Sequence, residues 1–155
     1  MPKIILIIIC LVLTIVGCLS AKNQKLPIKI KQGIDGYVYK ISGNQMPSPN
    51  SIAAKPNGIA TTIYIYDSTN IRDVVRIGYS ASYSSINKKL ITSVESDSTG
   101  HFFVALPVGS YSLFIKVNNV FYSNLFDIDN NISLTKVTEN NITHVVIKQT
   151  ASAVF

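Results

Sequence analysis

The chain has 155 residues, with 14 basic and 8 acidic side chains, a formal net charge of +6 and 47% hydrophobic residues. That length fits one domain with a real core and leaves little room for a second. The charge is unevenly placed: Lys22, Lys25, Lys29 and Lys31 fall in an acid-free segment, and from Gly33 onward 9 basic residues stand against 8 acidic ones, a composition that does not support the basic face that nucleic-acid binding needs.

In chain order the first segment is MPKIILIIICLVLTIVGC, residues 1–18. Lys3 gives a short positive start, and Ile4 to Val16 is an apolar run interrupted only by Thr14. As a helix that run is about 20 Å long, short of a bilayer core of about 30 Å, so it reads as a secretory signal and not as a stable span. Its end, Ile15-Val16-Gly17-Cys18, resembles the lipobox of bacterial lipoproteins. The resemblance implies a lipid-modified Cys18, cleavage before it, and residues 1–17 as a lipoprotein signal peptide. Two or three acyl chains anchor a small domain stably at about 0.8 kcal/mol per buried CH2. The only other cysteine, Cys10, leaves with the signal, so the mature domain has no thiol for a disulfide, nucleophile or metal site.

Residues 18–32 read as the lipidated Cys and a Lys-rich tether suited to anionic head groups. Ile28 and Ile30 alternate with lysines, a pattern that can begin a strand. Residues 33–155 form the domain. Ile34 to Ile41 is β-rich, and Gly43, Pro47, Pro49, Pro56 and Gly58 then break up a loop. IATTIYIY, residues 59–66, reads as a buried strand. Residues 67–89 lack sustained alternation and read as an insertion, with Ile71, Val74 and Val75 near helical spacing and Ser68 or Thr69 as the cap of a short helical turn.

The remainder is a run of short strands: 90–96, 101–107, 110–117, 120–126, 132–137 and 142–149. Turn signals recur every eight to twelve residues, as in all-β sandwiches. Phe102, Val104 and Leu106 share one side of their strand, and Tyr111, Leu113, Ile115 and Val117 share one side of the next. Around Pro107-Val108-Gly109 this reads as a hairpin. Asp97 and Gly100 fit the tight turn before it, and Asn118-Asn119 and Asp127–Asn131 fit later turns.

The pattern Asp97-x-x-Gly100-x-Phe102-x-x-x-Leu106-Pro107-x-Gly109-x-Tyr111-x-Leu113 resembles the signature of carboxypeptidase regulatory-like domains. Gly36-x-Val38, Gly43 and Met46-Pro47 match the opening of that family, and Phe121 to Asp127 resembles a later strand and turn of lipoproteins that carry the domain. The resemblance covers about residues 33–150. It implies an all-β, transthyretin-like (prealbumin-like) sandwich of seven to eight strands, a scaffold or interaction module common in Bacteroidetes envelopes, with no catalytic centre to carry over.

Residue by residue, the chemistry-bearing groups read as structural. His101 and His144 are the only histidines and lack further zinc ligands, since Cys is absent. Asp127-Ile-Asp129-Asn-Asn131 starts like a calcium loop but has Ile132 where Gly is needed and Thr138 where a bidentate Glu is needed. A different, weaker calcium site stays open. Gly78-Tyr-Ser80-Ala-Ser82 lacks the last Gly of a nucleophile elbow. The chain ends Ala-Ser-Ala-Val-Phe, without the terminal motif of the hydrolase that shares the transthyretin-like sandwich. Tyr79 and Tyr83, in the polar insertion, are the candidate ligand contacts, since exposed aromatics stack on sugars or anchor partners.

These readings lead to a non-catalytic, lipid-anchored protein of the bacterial cell envelope, an interaction module for another envelope protein, with no cofactor, no metal and no nucleic-acid partner expected. The alternative is a glycan-binding lipoprotein using Tyr79 and Tyr83. By resemblance to proteobacterial lipoprotein sorting, Leu19 rather than Asp after Cys18 favours the outer membrane. Lysines in place of an acidic run suggest its periplasmic face.

Overall fold

The computed structural model describes residues 31–46 and 56–154. The signal segment, Cys18 and nearly all of the tether lie outside the described residues. The fold is an all-β sandwich of two sheets, one of four strands and one of seven.

In chain order the strands are β1 (Gly33–Asn44), β2 (Asn57–Gly58), β3 (Thr62–Asp67), β4 (Val74–Arg76), β5 (Ser82–Ile86) and β6 (Leu90–Glu95). They continue as β7 (His101–Ala105), β8 (Gly109–Val117), β9 (Val120–Tyr122), β10 (Leu134–Val137) and β11 (Ile142–Val154). β1 is the centre of the smaller sheet. It runs parallel to β11 on one side and antiparallel to β7 and β2 on the other. The larger sheet has the order β4-β5-β9-β8-β3-β6, with β10 also on β8.

The core between the sheets holds Ile34 and Val38 of β1, Phe102, Ile63 and Ile65 of β3, Leu113 and Ile115 of β8, and Ile147. Strand alternation produces it: Ile34 and Val38 point inward while Asp35, Tyr37 and Tyr39 point outward. Gly36 lies on the inner side because a Cβ there would stand 2.6 Å from the Val145 carbonyl oxygen and 2.9 Å from the Phe102 ring. β8 breaks the alternation, with five successive buried residues from Tyr111 to Ile115. Both of its sides are covered. A second cluster of Tyr66, Tyr83, Phe114 and Ile132 packs on the far side of the larger sheet. Phe114 meets Tyr66 and Tyr83 edge to face, at 5.7 and 5.9 Å between ring centroids.

Three sequence expectations are corrected here. The strands number eleven among the described residues, not seven or eight, because the 67–89 insertion itself pairs, adding β4 and β5 to the larger sheet beside β9, and because Asn57–Gly58 pairs with β1 as β2. Its helical portion is one 3-10 turn, Ile71–Asp73, and its cap is Asn70, not Ser68 or Thr69. Thr69 is instead buried, its amide donating to Ser112 Oγ at 3.0 Å. Val74 and Val75 begin a strand. Finally, β7 and β8 are not a hairpin: β7 bonds to β1 in one sheet and β8 to β3 in the other. Leu106, Pro107 and Val108 therefore cross from sheet to sheet. The alternation of Phe102 and Leu106 and of Tyr111, Leu113 and Ile115 was legible, because all point into the same core from opposite sheets.

The turns form as their residues dictate. Asp97 Oδ1 accepts the amides of Thr99 at 2.8 Å and His101 at 3.0 Å, and Gly100 takes φ 86°. Asn118 and Asn119 both have positive φ, 50° and 65°, as a two-residue turn between β8 and β9 requires.

Candidate functional site

The outer side of the smaller sheet carries a concentration of titratable side chains that the fold assembles from distant segments. Odd-numbered residues of β1 and β7 point there, and the parallel pairing of Asp35 with His144 brings the even-numbered residues of β11 beside them. Asp35 sits between two rings. His101 Nε2 lies 2.7 Å from Asp35 Oδ1, and His144 Nδ1 lies 3.0 Å from Asp35 Oδ2. A carboxylate can only accept, so each ring contributes an N–H. His101 is thereby held as an Nε2 donor and His144 as an Nδ1 donor, and the remaining nitrogen of His144 is directed away from Asp35. The hydrogen bond from His101 is the main reason the Asp35 carboxyl is held below the usual range, with that from His144 adding to it against a partial opposing effect of burial. The clip joins β7, β1 and β11 across the sheet.

Aromatic residues surround it. The Tyr37 ring lies 5.1 Å from that of His101 and is stacked with Tyr39 at 5.8 Å. Tyr37, Phe103 and Val146 are exposed on the same side. Beyond Val146, at the edge of β11, opens a cavity of about 300 Å³ whose lining includes Leu125, Phe126, Leu134 and Val145. Leu125, Phe126 and Leu134 are themselves exposed. The apolar surface therefore continues from the sheet around its β11 edge.

The two tyrosines named from sequence are separated by the structure. Tyr79 is 99% exposed at the tip between β4 and β5, where Arg76 donates to the carbonyls of Tyr79 at 2.6 Å and Ser80 at 2.7 Å. Tyr83 is 0% exposed and donates to the Ser123 carbonyl at 3.1 Å, so it cannot contact a ligand beside Tyr79. Its burial pushes its hydroxyl pKa up. The reading of Tyr83 as a binding residue is corrected: strand alternation in β5 turns it onto Phe114. Cys18 lies outside the described residues.

Asp127 is occupied by its own turn. Its Oδ1 accepts the amides of Asp129 and Asn131, at 3.0 and 2.8 Å, and its Oδ2 accepts Asn131 Nδ2 at 2.9 Å. Ser80 Oγ donates to the Ile77 carbonyl at 2.8 Å, a turn contact. Among the described residues no group of three or more His, Cys, Asp or Glu side chains is placed to hold a metal ion.

Asp35 is the residue that sequence reasoning missed. Its only local signal is an acid among the outward tyrosines of β1. Its partners lie 66 and 109 residues further on, beyond any local pattern. No protein-family model, curated protein or solved structure matches the chain.

Proposed function

We propose that this chain is a non-catalytic binding module of the bacterial cell envelope, anchored by lipid on Cys18 and engaging another envelope protein through the outer side of its smaller sheet. The observation that carries the reading is the set of exposed apolar side chains on this side and its β11 edge, Tyr37, Phe103 and Val146 beside the Asp35 clip and Leu125, Phe126 and Leu134 at the cavity. Exposed aromatic and aliphatic side chains gathered on one patch mark contact surfaces. The lipobox-like Ile15–Cys18 and the likeness of residues 97–113 to carboxypeptidase regulatory-like domains support the address and the scaffold role. Co-isolation from gently solubilised envelopes tests it. A defined partner is expected with the wild-type chain and is expected to be lost with Phe103→Ser. Retention of the same partner by that variant would remove the surface from the reading.

Glycan binding is the second reading. It moves from the Tyr79–Tyr83 pair to Tyr37 and Tyr39, whose stacked rings stand beside the polar Asp35 and His101. Tyr37→Ala is expected to abolish glycan binding measured by calorimetry, and an unchanged affinity would sink this assignment.

A further inference from the structure

We propose that the open edge of β11 is a strand-addition site for an extended, acid-bearing segment of a partner protein. This rests on the module reading above and names the surface it uses.

Among the described residues β11 bonds to β1 on one side and is the terminal strand of its sheet. On its other side the Thr150 amide is taken by Tyr122 Oη at 3.1 Å, and Asn124 Nδ2 donates to Thr150 Oγ1 at 3.0 Å. Those contacts close the edge at Thr150. Backbone groups alternate sides along a strand, so the N–H and C=O groups of His144, Val146 and Lys148 face the same way as the Thr150 amide, toward the edge. Beside them is open space: a cavity of about 320 Å³ lined by Asn124, Leu125, Val146, Lys148 and Thr150 adjoins the 300 Å³ one, and Leu125 and Val146 line both. An added strand would lie about 4.8 Å from β11. Its side chains would fall alternately on the outer side of the sheet and into the apolar cavities.

Charge selects the occupant. β11, ITHVVIKQTASAV, contains no acid, and its outward residues include His144 and Lys148. Asp35, on the neighbouring strand, is already engaged by both histidines. Opposite charges facing across strands stabilise a pair and like charges destabilise it. A second copy of β11 would bring Lys148 and no acid to the edge. The chain's own alternating segment, LPIKIK at residues 26–31, is cationic as well. The fitting segment is a foreign one, with Asp or Glu opposite His144 and Lys148 and apolar residues between them aimed into the cavities.

The probe is a blocked peptide, threonine–glutamate–valine–threonine–valine–glutamate–threonine, titrated by fluorescence anisotropy against the full-length protein. The same peptide with lysine in place of both glutamates is the control. The glutamate peptide is expected to bind more tightly by about tenfold or more, because backbone pairing is shared and charge is not. Val146→Pro removes an edge amide that β1 does not use and is expected to abolish binding with the circular dichroism unchanged. Lys148→Glu, at an exposed position, is expected to turn the preference toward the lysine peptide, and it tests the site even if Val146→Pro fails to fold. Equal binding of the two peptides, indifference to both variants, or a dimer that both variants disrupt would each overturn the proposal. Peptide binding without any co-isolated envelope partner keeps the edge and overturns the module reading. A co-isolated partner indifferent to both variants does the reverse.

Discussion

Asp35 shows how much one side chain can organise on an otherwise regular sheet. It ties β1 to His101 of β7 and His144 of β11, and its own side chain is 23% exposed while that of His144 is 77% exposed. Pairs this open to water contribute about 1 kcal/mol or less. Asp35→Asn is therefore expected to lower stability by about that amount at pH 7. The sign with pH follows from the direction of its shift. A carboxyl held below its ordinary value contributes stability that is fully present above its unfolded pKa of about 3.9 and is lost as pH falls through the folded value. Urea unfolding of both proteins at pH 7, 5 and 3 checks this: the gap is expected to close only below about pH 4. The residue types of this cluster were visible in the sequence, yet each looked isolated. Tyr83 is the converse case. It stood in a serine-rich stretch that looked solvent-facing, and only the packing of β5 over Phe114 buries it.

At the scale of elements, alternation identified the buried side of β1 and β7, and turn residues marked most of the ends. Pairing was less legible, because the hydrogen bonds of a strand are made with partners far away in the chain. β7 and β8 illustrate it: a Pro-Val-Gly connection between two alternating strands is compatible with a hairpin and with a sheet-to-sheet crossover. What decides is that Phe102 and Leu113 must enter one core from opposite sheets. Gly36 is one of the tight points of this arrangement. It pairs with Val145 on one side and Phe102 on the other. Gly36→Ala is expected to destabilise by about 1–3 kcal/mol, since the backbone oxygen of Val145 cannot swing aside. A chemical denaturation midpoint measures it, and a neutral result would mean that β1 and β11 are not in this register.

At the scale of the molecule, the 67–89 insertion is part of the fold and not a loop upon it. Its strands extend the larger sheet, and Tyr83 with Tyr66, Phe114 and Ile132 forms a second core on the sheet's far side. Phe114→Ala is expected to cost about 3–5 kcal/mol. It is expected to raise hydrogen exchange first across residues 74–86, ahead of β1 and β11, whose contacts lie in the other core; uniform loosening would contradict two separable cores. Among the described residues the insertion thus covers one sheet, while the outer side of the other sheet is uncovered. That asymmetry leaves Tyr37, Phe103 and Val146 exposed, as the proposed docking surface requires.

The most direct measurement is photo-crosslinking in native envelopes from a benzoylphenylalanine placed at position 103, with position 79 at the exposed β4–β5 tip as the comparison. The expected result is one discrete protein adduct from position 103 that is absent from position 79. No adduct from position 103, or the same adducts from both positions, would contradict the smaller sheet as the binding surface.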